Sequence, residues 1–191
     1  ITAFSKRAME AVESAKLPRT YFDVRDMATG YPKGGYPYTP AVGLMNGLRF
    51  SCGLLLEEGL ENVFARHRRI PEGVRAAAPA RGMQLCAQSP DLYSDTVSAI
   101  LTPEGFDANK IVNHAASAYD VAFGIGLGDV AGKLFRIGHL GSLTDVMALS
   151  GIATAEMVMA DLGLPVRLGS GVAAAQEVYR ANGAHARKAA A

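Results

Sequence analysis

From Pro40 to Gly82 the apolar residues of this 191-residue chain recur at helical spacing, and the strand-like runs come after Gly82. Such a division excludes strict strand–helix alternation from end to end, because that architecture needs strands throughout. Two parts of different character are expected instead.

The first part covers residues 1–59. Residues 6–16 form an amphipathic stretch, and TGYPKGGYPYTP over 29–40 holds three prolines and three glycines, which reads as a loop. The signals switch at Thr39 and Pro40. Threonine can cap the free amides of a helix start, and proline is tolerated at the first helical position because its missing N–H costs nothing there. A helix is therefore predicted from this point, with Ala41, Met45, Leu48, Cys52, Leu55 and Leu56 at helical spacing and Gly59 as the left-handed residue after its end. One long helix, one loop and little strand cannot make a core, so residues 1–59 read as the remnant of a larger domain.

Residues 60–191 read as a small α+β domain. A helix starts near Leu60 with Val63, Phe64 and His67 on one side, and Pro71, Gly73 and Pro79 predict a kink or break before Gly82. Short strands are expected over 83–86, 96–101, 121–125 and 134–139. Asp107 is a candidate cap for a helix to Tyr119, and Ser142 with Asp145 resembles a capping box for a helix to Leu162. A further helix is expected over 172–180, then a frayed tail, AHARKAAA.

Several function classes are excluded by composition. With 49% hydrophobic and 19% charged residues the chain is no disordered polymer, and a net charge of +1 gives no field for nucleic acid or an anionic membrane. The apolar stretch 143–164 is interrupted by Asp145, Glu156 and Asp161, so it reads as a buried helix and not a membrane span. Cys52 and Cys86 show no metal-ligand spacing, which suits a reduced, cytoplasmic setting. The opening ITAFSKRAME lacks an apolar signal region and begins with Ile, as in a chain cut from something longer.

Three groups of residues carry possible chemistry. Gly126 to Ala131 spells GxGxxA, but the strand-like KLFRIGHL follows where a dinucleotide site needs a helix, and Gly132-Lys133 lacks the Ser or Thr of a phosphate loop. A tight connection between strands is the preferred reading. In LFRIGHL the strand period puts Phe135 and Ile137 on one face and Arg136 on the other, where a rigid fork suits a carboxylate. An arginine whose stem packs while its head meets solvent fits the same spacing. Tyr36, Tyr38 and Thr39 sit beside the expected helix start and could hold a phosphate, although capping alone also explains Thr39. His67, His114, His139 and His185 do not cluster, and the alternation points His139 away from the face of Arg136.

Four segments, AKLPRTYFD at 15–23, YPYTPAV at 36–42, LLLEEGLENVFARH at 54–67 and LFRIGHLG at 134–141, resemble the class V aminotransferases, and within them the serine–glyoxylate and alanine–glyoxylate branch. The resemblance covers only the C-terminal half of such an enzyme. It implies an α/β fold-type I transferase using pyridoxal 5'-phosphate, a homodimer with active sites at the interface, acting on small amino acids and 2-oxo acids. It further implies that Tyr36 and Thr39 bind the cofactor phosphate from the neighbouring subunit and that Arg136 holds the substrate carboxylate. The family's Schiff-base lysine has no counterpart, since Lys6, Lys16, Lys33, Lys110, Lys133 and Lys188 stand in other contexts, so no catalytic residue is assigned and the chain alone is expected to be inactive. Pairing with a missing N-terminal half is the alternative to a homodimer. Two other functions stay open: a non-catalytic dimerisation or ligand-binding module, and a desulfurase or lyase of the same class, for which neither cysteine looks placed on a mobile loop.

Overall fold

The computed structural model describes residues 2–181 and divides into two compact units, Ile1–Leu54 and Leu55–Ala191. His185, Lys188 and the tail read as frayed lie outside the described residues.

In the first unit α1 (Lys6–Ser14) opens with Ser5 Oγ accepting the Ala8 amide at 3.1 Å. Arg19 then closes it, donating to the Ala15 and Val12 carbonyls at 3.0 and 3.1 Å. The same arginine meets Asp23, the one buried residue of the unit among those described. Asp23 caps α2 (Val24–Gly30) by accepting the Arg25 amide at 3.0 Å, and the Arg25 side chain beside it holds its carboxyl far below the usual range. No separate helix is marked at 24–30 by the sequence, which places 29–40 in a loop. A helical turn at Tyr31–Lys33 ends on Gly34 with φ +70°.

The next helix, α3 (Val42–Glu58), starts later than expected. The Met45 amide bonds to the Ala41 carbonyl at 3.0 Å, so Ala41 stands at the boundary and Thr39 lies outside it and does not cap the helix. Gly59 follows with φ +84°, as its position predicted. Every residue of α3 is exposed, although leucine, methionine and phenylalanine run all round it.

The second unit holds a four-stranded antiparallel sheet in the order β1-β2-β4-β3, formed by β1 (Gln84–Leu85), β2 (Val97–Leu101), β3 (Gly124–Ile125) and β4 (Leu134–Gly138). Helices α4 (Leu60–Ala80) and α5 (Asn109–Tyr119) touch the strands, and α6 (Asp145–Asp161) and α7 (Ser170–Ala181) pack on them from outside. The core between includes Ile70, Val74, Ile100, Ile111, Phe135 and Ile152, each at most 1% exposed. Every such side chain contributes roughly 2 kcal/mol through burial.

Three readings are corrected here. Of the kink or break expected in α4, the break does not occur, and Pro71 and Pro79 both lie inside the helix. An interior proline costs about 3 kcal/mol, which burial of Ile70, Pro71, Val74, Ala77 and Ala78 along this helix offsets. For α6 the cap is Thr144, whose Oγ accepts the Met147 amide at 3.3 Å, and not Ser142. For α5 the cap position falls to Ala108, whose side chain cannot hydrogen-bond, and Asp107 stands one residue earlier and accepts the Asn109 amide at 2.9 Å.

Candidate functional site

Arg136 stands at the middle of β4, paired with Ala99 of β2 on one side and Gly124 of β3 on the other. Its neighbours Phe135 and Ile137 are buried while Arg136 itself is only half-buried, as the two-residue period requires. Its Nε donates to the Ile125 carbonyl at 2.9 Å. Among the described residues no acceptor takes Nη1 or Nη2, so the outer edge of the guanidinium remains as a pair of parallel donors. A carboxylate offers two oxygens at matching separation.

The glycine-rich segment before β4 makes the tight connection expected of it, a hairpin from β3 into β4. A side chain at Gly126 would put its Cβ 2.1 Å from the Val130 carbonyl oxygen, and Gly128 and Gly132 take φ of +57° and +72°. These glycines serve the turn.

The histidines near this strand are structural. His139 is 1% exposed, with Nε2 2.9 Å from Ser98 Oγ and Nδ1 3.2 Å from the Asp95 carbonyl. Burial pushes its pKa down to about 4, so the ring is neutral, Nδ1–H donates to Asp95 and Nε2 accepts from Ser98. His67 accepts the Gly141 amide at 3.1 Å while Arg66 donates to the Gly141 carbonyl, so α4 fixes the loop that leaves β4. His114 pairs with Asp161 at 2.9 Å.

Tyr36 and Thr39 lie in the first unit, on an open groove of about 790 Å³ that Tyr31, Tyr38, Met45 and Arg49 also line. Tyr38 stacks on Tyr21 with ring centroids 4.6 Å apart, which holds the loop beside the groove. Arg49 has no hydrogen-bond or ion-pair partner among the described residues. Two hydroxyls and a cation make a donor set suited to a phosphate, and no lysine lines the groove. Arg49 went unnoticed in the sequence, although its place four residues after Met45 puts it on the same helical stripe. Gly124 and Ile125 were missed as partners of Arg136 because only the hairpin register brings Gly124 opposite it and the Ile125 carbonyl within reach of its Nε. Tyr36 and Thr39 belong to one unit and Arg136 to the other.

Cys52, exposed on α3, and Cys86, just after β1, are both free thiols. Among the described residues no group of His, Cys, Asp and Glu could hold a metal, and no helix is long and apolar enough to cross a membrane.

No protein-family model matches the chain. It is 73% identical over 191 residues, all of this chain and 48% of the relative, to the L-aspartate–glyoxylate aminotransferase of Paracoccus denitrificans. It is 50% identical over 184 residues, 95% of this chain and 45% of the relative, to the serine–glyoxylate aminotransferase of Hyphomicrobium methylovorum. Among solved structures, the pyridoxamine–pyruvate aminotransferase of Mesorhizobium loti superposes with a TM-score of 0.83 at 32% identity, over 93% of this chain and 46% of that one. The chain spans about half the length of the curated relatives it matches.

Proposed function

From a chain that carries the sequence and fold of the C-terminal part of the class V, fold-type I aminotransferases, we propose a share in a pyridoxal 5'-phosphate enzyme that moves an amino group from a small amino acid to glyoxylate or pyruvate. Serine and aspartate are the donors named by the relatives. The observation that carries this reading is the pinned guanidinium of Arg136, with two donors free.

The cofactor, when bound, supplies an electron sink for chemistry at the substrate Cα. Arg136 holds the α-carboxylate through Nη1 and Nη2, which fixes the rotation of the substrate about its Cα. Because its Nε is already engaged, the carboxylate approaches end-on. Tyr36 and Thr39 donate their hydroxyls to the cofactor phosphate from the neighbouring subunit of a dimer, and Arg49 adds a positive charge beside them. The lysine that binds the cofactor covalently comes from the portion of the enzyme that this chain does not span.

The uniformly exposed apolar surface of α3 supports a further portion of the enzyme that covers it, because such a helix is normally covered on most sides. A cytoplasmic, homodimeric enzyme is the setting that fits. The test compares the 191-residue chain with the enzyme that carries it. Serine or aspartate with glyoxylate should give amino transfer only with the latter, and Arg136→Ala should raise the KM of both carboxylic substrates by roughly a hundredfold, the scale of a lost bidentate contact. An unchanged KM would refute the role of Arg136.

A further inference from the structure

Gly124 is the residue directly across the β3–β4 pair from Arg136. Its backbone is ordinary, since it is absent from the glycines of positive φ, which include Gly105, Gly128 and Gly132. Conformational freedom therefore gives no reason for a glycine here. Space does. A Cβ built on Gly124 falls 3.1 Å from Arg136 Nε, 3.2 Å from its Cβ and 3.5 Å from its Cζ. The arginine stem thus lies across the bare backbone of β3, in the volume that any other residue would fill.

The next residue completes the arrangement. The Ile125 carbonyl accepts the Nε–H at 2.9 Å, so one side of the guanidinium is fixed by a hydrogen bond and the stem beneath it by close packing. Position along the strand comes from the hairpin, which pairs Gly124 with Arg136 and Ile125 with Phe135. Close approach at Gly126, where no Cβ would fit against Val130, holds that hairpin in register.

We propose that Gly124 is a positioning residue for carboxylate recognition: its missing side chain lets Arg136 lie flat on β3, bind Ile125 through Nε and present Nη1 and Nη2 together. This rests on the assignment of Arg136 as the carboxylate anchor. A β-branched residue at 124 would lift the guanidinium off the strand, break the bond to Ile125 and turn the two outer donors out of the plane of an incoming carboxylate. The charge would survive, and the geometry would not.

The experiment uses the enzyme that carries this chain and three variants, Gly124→Val, Gly124→Ala and Arg136→Ala. KM and kcat are read separately for amino donor and glyoxylate, and arginine Nε–H signals are recorded by ¹⁵N NMR in the absence of substrate. Gly124→Val should raise both KM values about tenfold with kcat within about threefold, since loss of orientation by a fraction of an ångström has effects of this order. The protected Nε–H signal of Arg136 should collapse in the same protein. Gly124→Ala, which asks the guanidinium to give by a few tenths of an ångström, should show a smaller change of signal and a KM rise of about twofold. If Arg136→Ala raises KM while both Gly124 variants keep normal KM and an unaltered Nε–H signal, the positioning role is overturned and the carboxylate anchor stands. If Arg136→Ala leaves KM unchanged, the anchor itself is wrong and the inference falls with it.

Discussion

Nε2 of His139 lies 2.9 Å from Oγ of Ser98 across the β2–β4 pair, and both side chains are buried. Burial pushes the imidazole from 6.5 down to about 4. Below pH 6.5 the unfolded chain takes up a proton that the folded chain refuses, so stability falls as pH drops from about 6.5 toward 4 and is constant above that window. Across that window each pH unit costs up to about 1.4 kcal/mol, or about 3 kcal/mol in all. Denaturant midpoints measured between pH 7.5 and pH 4 should follow this course, and His139→Gln should flatten it. A Gln variant with the same slope would show that another group titrates.

Glu156 and Arg81 form a second buried arrangement. The Glu156 carboxylate, 2% exposed, accepts the Gly169 and Gly171 amides at 2.7 and 2.6 Å where α7 begins. Arg81 is 4% exposed, its Nε donates to the Ala77 carbonyl at 2.8 Å, and its Nη1 and Nη2 find no hydrogen-bond partner among the described residues. Burial pulls the guanidinium down to about 10, and the charge of Glu156 opposes that change. Glu156→Gln should therefore cost about 3 kcal/mol, because it turns a donor toward an amide and removes the charge facing Arg81. Arg81→Met should cost less, since the orphaned donors go with it. A double-mutant cycle from urea melts should give a favourable coupling, and additive costs would mean that the two residues act independently.

The parts of the fold visible in the sequence are those fixed by local chemistry. The period of two in LFRIG set the face of Arg136, Gly59 marked a helix end, and the glycines at 126–132 marked a turn. Readings failed where tertiary packing outweighed a local rule. Pro71 and Pro79 should stop a helix, yet the apolar side of α4 is buried enough to carry both. Thr39 had the chemistry of a cap, but the chain turns into α3 only at Ala41, a backbone path that the residue types at 39–41 do not specify. For the site, Arg136 was legible from its own strand, while Gly124 and Ile125 needed the register of a neighbouring one.

Gly73 offers a test in which the sign of the effect decides. In an exposed helix, replacing glycine by alanine stabilises by up to about 1 kcal/mol. At position 73 a Cβ would lie 2.3 Å from Cζ of Tyr179, 2.5 Å from Cε1 and 2.6 Å from its hydroxyl oxygen. That ring cannot swing away cheaply, because Tyr179 is 3% exposed and its hydroxyl donates to the Ile70 carbonyl at 2.7 Å. Gly73→Ala should thus destabilise by about 2 kcal/mol, with the overpacking of α7 against α4 outweighing the helix propensity. Thermal denaturation checks it, and a raised midpoint would mean that the two helices separate freely.

Arg136→Lys separates a fork from a point charge. Lysine keeps the positive charge on β4, and if long-range attraction were the whole of its role, substrate binding would hardly change. The ammonium has a single nitrogen, however, so it either bonds to the Ile125 carbonyl as Nε does now or reaches the substrate, and it cannot offer two parallel donors in either case. In the enzyme that carries this chain, KM for the amino donor and for glyoxylate should each rise by about 10- to 100-fold, close to the effect of Arg136→Ala. The salt dependence of KM should remain, because the charge does. A lysine variant within twofold of the parent would reduce Arg136 to an electrostatic attractor and remove the need for its bond to β3.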